Sequence, residues 1–125
     1  MSDDHFVLEI PAVPVHLGTA RTFSSQIARH AGVDDAVVED VKLAVSEACA
    51  GSVDRVPAGE RVVIRSRLGP DVVAFEVEGS GDLAPALSED GPARLDLIRT
   101  LFPDASIDRL DAGRTTIRFS LPLGG

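Results

Sequence analysis

Residues 61–78 read RVVIRSRLGPDVVAFEVE, and this stretch decides the architecture. Two β-branched runs, 61–68 and 72–78, flank Gly69-Pro70-Asp71, which has the residue types of a tight turn. Together they predict a hairpin of two antiparallel strands. Upstream lie two segments at helical spacing. Between 17 and 31, Leu17, Ala20, Phe23, Ile27 and Ala31 form one apolar stripe, and Gly32 supplies the stop. Asp34 is placed to cap a second helix, with Asp35, Glu39 and Asp40 near its positive end. The stripe of that helix runs Val38, Val41, Val45, Ala48, Ser52. Before both helices, residues 5–11 alternate Phe6, Leu8 and Ile10 against His5, Val7 and Glu9, a strand ended by Pro11 and Pro14. After the hairpin come a loop over 79–91 and a third helix over 92–102, with Pro92 in its first turn. Two strands follow near 105–110 and 114–121, joined through Asp111-Ala112-Gly113. The order is β-α-α-β-β-α-β-β. Two successive helices followed by a hairpin exclude a doubly wound parallel sheet. They predict an α+β fold, a two-layer sandwich whose mostly antiparallel sheet is covered on one face by helices.

The chain has 125 residues and 13.1 kDa, the size of one domain, and residues 1–125 are read as a single one. Hydrophobic residues make up 44% and charged residues 26%, which excludes a disordered or collagen-like chain. No apolar run reaches the roughly 20 residues of a membrane helix. The acidic start, MSDDHF, is unlike a secretory signal, so a cytoplasmic protein without a membrane partner is expected. A net charge of −8 argues against a groove for a nucleic-acid backbone. One cysteine, Cys49, allows neither an internal disulfide nor a cysteine-built zinc site. His5, His16 and His30 lack metal-ligand spacing.

The candidate chemistry lies on the second helix, around Leu43-Ala44-Val45-Ser46-Glu47-Ala48-Cys49-Ala50. Helical spacing puts Glu47, Gly51 and Asp54 on one face, away from the Val45/Ala48 stripe. A glycine inside a helix costs about 1 kcal/mol against alanine, so Gly51 marks either a close packing approach or a lost functional side chain.

The segment KLAVSEACAGSV resembles the N-box helix of the anti-sigma-factor and serine-protein-kinase branch of the GHKL (histidine kinase-like) ATPases, whose usual form is L-x-x-S-E-A-x-x-N-A. The element order extends this resemblance over nearly the whole chain. It implies a Bergerat-type sandwich with ATP held between helices and sheet. It also implies a sigma factor or a STAS-domain anti-sigma antagonist as partner. Glu47 falls on the family's general base, a role that needs a carboxylate within reach of the proton it takes. The magnesium-binding asparagine falls on Gly51, which has no side-chain ligand. The adenine-binding aspartate of V-x-D-x-G falls on Gly79 in Val77-Glu78-Gly79-Ser80-Gly81, while the glycine, Gly81, is kept. Glu78 would reach the adenine only by a register slip, and alternation points it to the other face. In the phosphate box G-x-G-L-x-L-I, Leu95-Asp96-Leu97-Ile98 matches, but the two glycines fall on Pro92 and Arg94. Proline has no N–H to give a phosphate. The pair Thr115-Thr116 matches the late hydroxyls of the family, and Thr116 is taken as its site position.

Adenine anchor, metal ligand and phosphate loop thus fail together. Each such contact is worth about 1–3 kcal/mol, so the sequence predicts weak or no ATP binding, no cofactor and no metal. The expected function is that of an anti-sigma-factor-like regulator, a pseudokinase acting by protein–protein binding. A homodimer through the otherwise exposed edge of the first strand fits the same picture. The alternative is an active Mg-ATP-dependent serine-protein kinase that phosphorylates a STAS-domain antagonist and uses Glu47, Gly81 and Thr116. A third reading is a remodelled pocket for another small ligand. Simpler roles stand beside these. Glu47 would be a solvated helix residue, Cys49 a small core residue, Ser88-Glu89-Asp90 a solvated loop. Asp54 would replace the missing metal ligand, or Arg94 would fill the emptied phosphate pocket with its own cation.

Overall fold

Alternation in the strands and stripes in the helices assemble into two layers. The computed structural model describes residues 3–55, 61–80, 91–109 and 114–123. Strand β1 (Asp4–Pro11) leads through a single 3-10 turn, Pro14–His16, into helix α1 (Leu17–His30) and helix α2 (Asp35–Arg55). The hairpin follows as β2 (Arg61–Leu68) and β3 (Val72–Ser80), then α3 (Gly91–Leu101), β4 (Ser106–Arg109) and β5 (Arg114–Pro122). The five strands form one sheet in the order β1-β2-β3-β5-β4, and every neighbouring pair is antiparallel. The α+β sandwich read from the sequence is the fold observed. Pro57, Gly59, the 81–90 part of the loop and the Asp111-Ala112-Gly113 turn lie outside the described residues.

Local signals explain the boundaries. Gly32 adopts φ 85°, the left-handed conformation that glycine takes without strain, and ends α1. The Asp34 carbonyl accepts from the Val38 N–H at 3.0 Å, so Asp34 occupies the cap position of α2. In the hairpin turn the Gly69 N–H donates to the Val72 carbonyl at 2.9 Å. A Cβ on Gly69 would lie 2.8 Å from the Asp3 carboxylate, so this glycine lets Asp3, just before β1, approach the turn. Most boundaries lie within a residue of the sequence reading, and the hairpin's end differs most. β3 continues through Gly79 and Ser80, because Gly79 pairs with both Val62 of β2 and Thr115 of β5. Neighbours on both sides hold a glycine in extended conformation that its own propensity does not favour.

One face of the sheet meets the helices. Val62, Ile64, Val73, Phe75, Val77, Ile117, Phe119 and Leu121 point to it and are buried. α2 crosses this face with Val38, Val41, Ala44, Val45, Ala48 and Cys49, each at most 1% exposed. Its small residues let α1 and α3 pack on either flank. Phe119 stacks on Phe75 at 5.3 Å and on Phe102 at 4.7 Å, tying the end of α3 to the sheet; such pairs add about 0.5–1.5 kcal/mol beyond their buried area. Burial pushes the Cys49 thiol up to about 12, so Cys49 is the core residue its spacing predicts, without thiolate reactivity.

The opposite face carries charge. Arg61 pairs with Glu9 (2.8 Å) and Arg67 with Asp3 (2.7 Å). Glu78 accepts from Arg65 (2.9 Å) and Arg114 (2.6 Å). Arg118 joins Glu76 (3.0 Å) and Asp108. Every arginine of β2 and β5 is therefore matched to a carboxylate.

Candidate functional site

The candidate site lies where the helix-facing row of β3 reaches Gly79, beneath α2. Glu47 is half-buried on α2 rather than fully solvated. Gly51 lies one helical turn further on. Ser46 beside Glu47 accepts a hydrogen bond from Arg21 of α1 at 3.1 Å, so the S-E segment is fastened to the neighbouring helix.

On the sheet side the register fixes which side chains face the helices. Val73, Phe75 and Val77 do, so Gly79 continues that row; it is buried between Val62 and Thr115. Glu78 falls on the outer face, as strand alternation requires. Burial by itself raises the Glu78 carboxyl. The hydrogen bonds and charges of Arg114 and Arg65 outweigh that effect and hold it below its ordinary value. A carboxylate fastened in this way is not free to swing through the sheet toward a ligand.

The threonine pair is split by the same alternation. Thr116 pairs with Glu78 and Asp108 on the outer face, whereas Thr115 sits beside Gly79 on the helix-facing side. Of the two, the residue that shares the candidate site is Thr115, and the position taken from the sequence, Thr116, is separated from it by the sheet. Thr115 is 2% exposed, and no hydrogen bond to its hydroxyl is seen among the described residues. The motif match names both threonines, and counting pleats from Val77 tells which of them faces the helices.

Arg94 lies in the first turn of α3. Gly81 lies outside the described residues. Among the described residues no group of three or more histidine, cysteine, aspartate or glutamate side chains is placed to hold a metal ion. No helix among them is long and apolar enough to cross a membrane. A groove of about 490 Å³ does exist, but on the outer face, with Ala74 in its floor and Arg65, Arg67 and Arg118 around it. Those cations are all paired, so the groove has little to offer an anion.

The profile of the histidine kinase-like ATPase domain matches residues 10–121. The chain belongs to that family. It is 33% identical over 95 residues to the serine-protein kinase RsbW of Listeria innocua, covering 71% of this chain and 60% of that protein. With the serine-protein kinase RsbW of Bacillus velezensis it shares 30% identity over 115 residues, 90% of this chain and 69% of the relative. The chain thus spans under two thirds of the length of the Listeria relative. The fold also matches a crystal structure of the RsbU and RsbW domains of a Mycobacterium tuberculosis protein, with a TM-score of 0.71 at 20% identity. That match covers 94% of this chain and 32% of the other.

The helix-facing row of β3 reaches Gly79, and the adjacent Glu78 carboxylate is fastened to two arginines on the other face. Gly51 offers α2 no metal ligand. The described part of the candidate site thus carries the half-buried Glu47 and the buried Thr115 hydroxyl.

Proposed function

We propose that this chain is a regulator acting by protein–protein contact, with a sigma factor or a STAS-domain antagonist as partner, and that it works without binding ATP. The observation that carries the reading is made at the end of β3: Glu78 is turned outward and fastened, and Gly79 is left bare on the face toward α2. Resemblance to serine-protein kinases supplies the kind of partner. Each lost contact of this sort removes about 1–3 kcal/mol of binding, and every 1.4 kcal/mol is tenfold in affinity. The reading includes a homodimer through β1, which is an edge strand with Val7 63% exposed.

Calorimetric titration of the full chain with Mg-ATP tests the loss of the site. No heat of binding is expected up to millimolar nucleotide. Micromolar binding that is reduced by Glu47→Gln would instead establish the kinase alternative. The partner is tested separately, by titrating the purified chain with each sigma factor and STAS-domain protein encoded in the same genome. A complex with none of them would remove the assigned pathway and leave the nucleotide result standing.

A further inference from the structure

The groove on the outer face of the sheet is shaped by one short side chain. Ala74 lies on β3, the middle strand of the five, between Arg67 of β2 and Ser120 of β5. The next row of the same face, Arg65, Glu76 and Arg118, carries long charged side chains. Where that row gives way to the methyl group of Ala74 the surface drops. The groove of about 490 Å³ opens there, with Val72 on its other side. Pockets that hold small ligands measure roughly 300–1,000 Å³, so there is room for a group of side-chain size.

Almost every charge around this groove is already matched. Arg67 pairs with Asp3, Arg65 with Glu78, and Arg118 with Glu76 and Asp108. Asp104 is left over. It lies between α3 and β4, lines the groove, is exposed, and makes no ion pair among the described residues. Both of its oxygens accept from Ser120: Oδ2 from the hydroxyl, and Oδ1 from the backbone N–H at 3.4 Å. These neutral donors orient the carboxylate without cancelling its charge, and its remaining lone pairs stay open. Ser120 is the direct neighbour of Ala74 across the β3–β5 ladder. The oriented carboxylate therefore stands at one end of the apolar floor.

We propose that this groove docks a basic side chain of a partner protein, an arginine set in an apolar segment. Its aliphatic stem lies on Ala74 and Val72, and its guanidinium reaches Asp104. Long basic side chains divide in this way between an apolar body and a charged head, and the fork of arginine matches a carboxylate. Charge selects the occupant. The matched arginines leave no free cation for an acidic group, Asp104 is a carboxylate without one, and the net charge of −8 draws basic segments toward the chain. Pairing through the edge of β1 would extend the sheet and leave this face open. Docking of this kind lies beyond the proposed function and does not depend on whether the chain binds ATP.

The test uses a blocked pentapeptide, Ala-Val-Arg-Val-Ala, and a counterpart with citrulline, which keeps the shape of arginine and lacks its charge. Amide shifts of the full-length chain are followed as each is added. The arginine peptide is expected to move amides in the segments 72–76, 104–106 and 118–120. It should bind about tenfold more tightly than the citrulline peptide and weaken as salt rises. Asp104→Asn removes the charge and keeps an oxygen for the Ser120 N–H, and Ala74→Leu fills the floor; each should lower affinity about tenfold. Equal response to both peptides, shifts confined to the helices, or no shift at all would overturn the proposal. Agmatine, a free amine with the same guanidinium, binding as tightly as the peptide would also overturn it, by assigning the groove to a small diffusible cation. None of these readouts involves nucleotide or a sigma factor, so this result and that of the proposed function are separable.

Discussion

The outer face of the sheet and the outward face of α1 treat arginine in opposite ways. On the sheet, Arg61, Arg65, Arg67, Arg114 and Arg118 all reach carboxylates of neighbouring strands or of the segment before β1. On α1, Arg21 and Arg29 reach none among the described residues, and Val15 stands exposed nearby. A sheet face left bare by its helices must stay soluble, and cross-strand ion pairs keep it so while tying its strands together. No ion pair of that kind holds α1 among the described residues. The contrast teaches where in this fold charge is structural.

The largest stability effect is expected at the centre of the matched face. Glu78 is 16% exposed and holds two arginines. Glu78→Gln should lower stability by about 1–2 kcal/mol, a fall of roughly 5 °C in Tm. The pH dependence has a definite sign. Glu78 is held below its ordinary value of 4.5, so its contribution is complete above that value and fades as pH falls through the lowered native one. Melting curves of the two proteins should therefore differ at pH 7 and converge under strongly acid conditions. A difference that persists undiminished at low pH would mean that the carboxylate acts through its shape and not through its charge.

A smaller effect is expected at the margin of the same face. Arg118 bridges Glu76 and Asp108, but it is 48% exposed. Solvent screens such pairs, and Arg118→Met should cost under about 1 kcal/mol by chemical denaturation. A cost as large as that of Glu78→Gln would show that the ladder acts as one connected network and not as separate pairs.

The fold was legible because its strongest signals agree: alternation in β1 to β3, the glycine after α1 and the cap before α2 each match what is observed. The outward turn of Glu78 follows from alternation alone. The site was harder to read. The extension of β3 through Gly79 depends on β2 and β5 on either side, and no local propensity of Gly79-Ser80 announces it. That extension is what pairs Gly79 with Thr115, the first residue of the threonine pair. The ion pairs of the outer face join residues as far apart in sequence as Asp3 and Arg67, and such pairings have no signature in one strand. The groove over Ala74 is a further case, since Ala74 reads as an ordinary strand residue until its cross-strand neighbours are known.

The smallest effect on stability is expected on the unmatched face. Gly18 lies in the first turn of α1, where a Cβ has room, and leucine is the better helix former. Gly18→Leu should therefore leave the denaturation midpoint unchanged or raise it slightly, within about 0.5 kcal/mol. Arg21→Glu gives up one exposed hydrogen bond to Ser46 and should also stay within about 0.5 kcal/mol. If either substitution destabilised the chain as much as Glu78→Gln does, α1 would be part of the structural charge pattern after all. If both leave stability intact, the two faces differ in kind: removing charge from one weakens the fold, and changing the other does not.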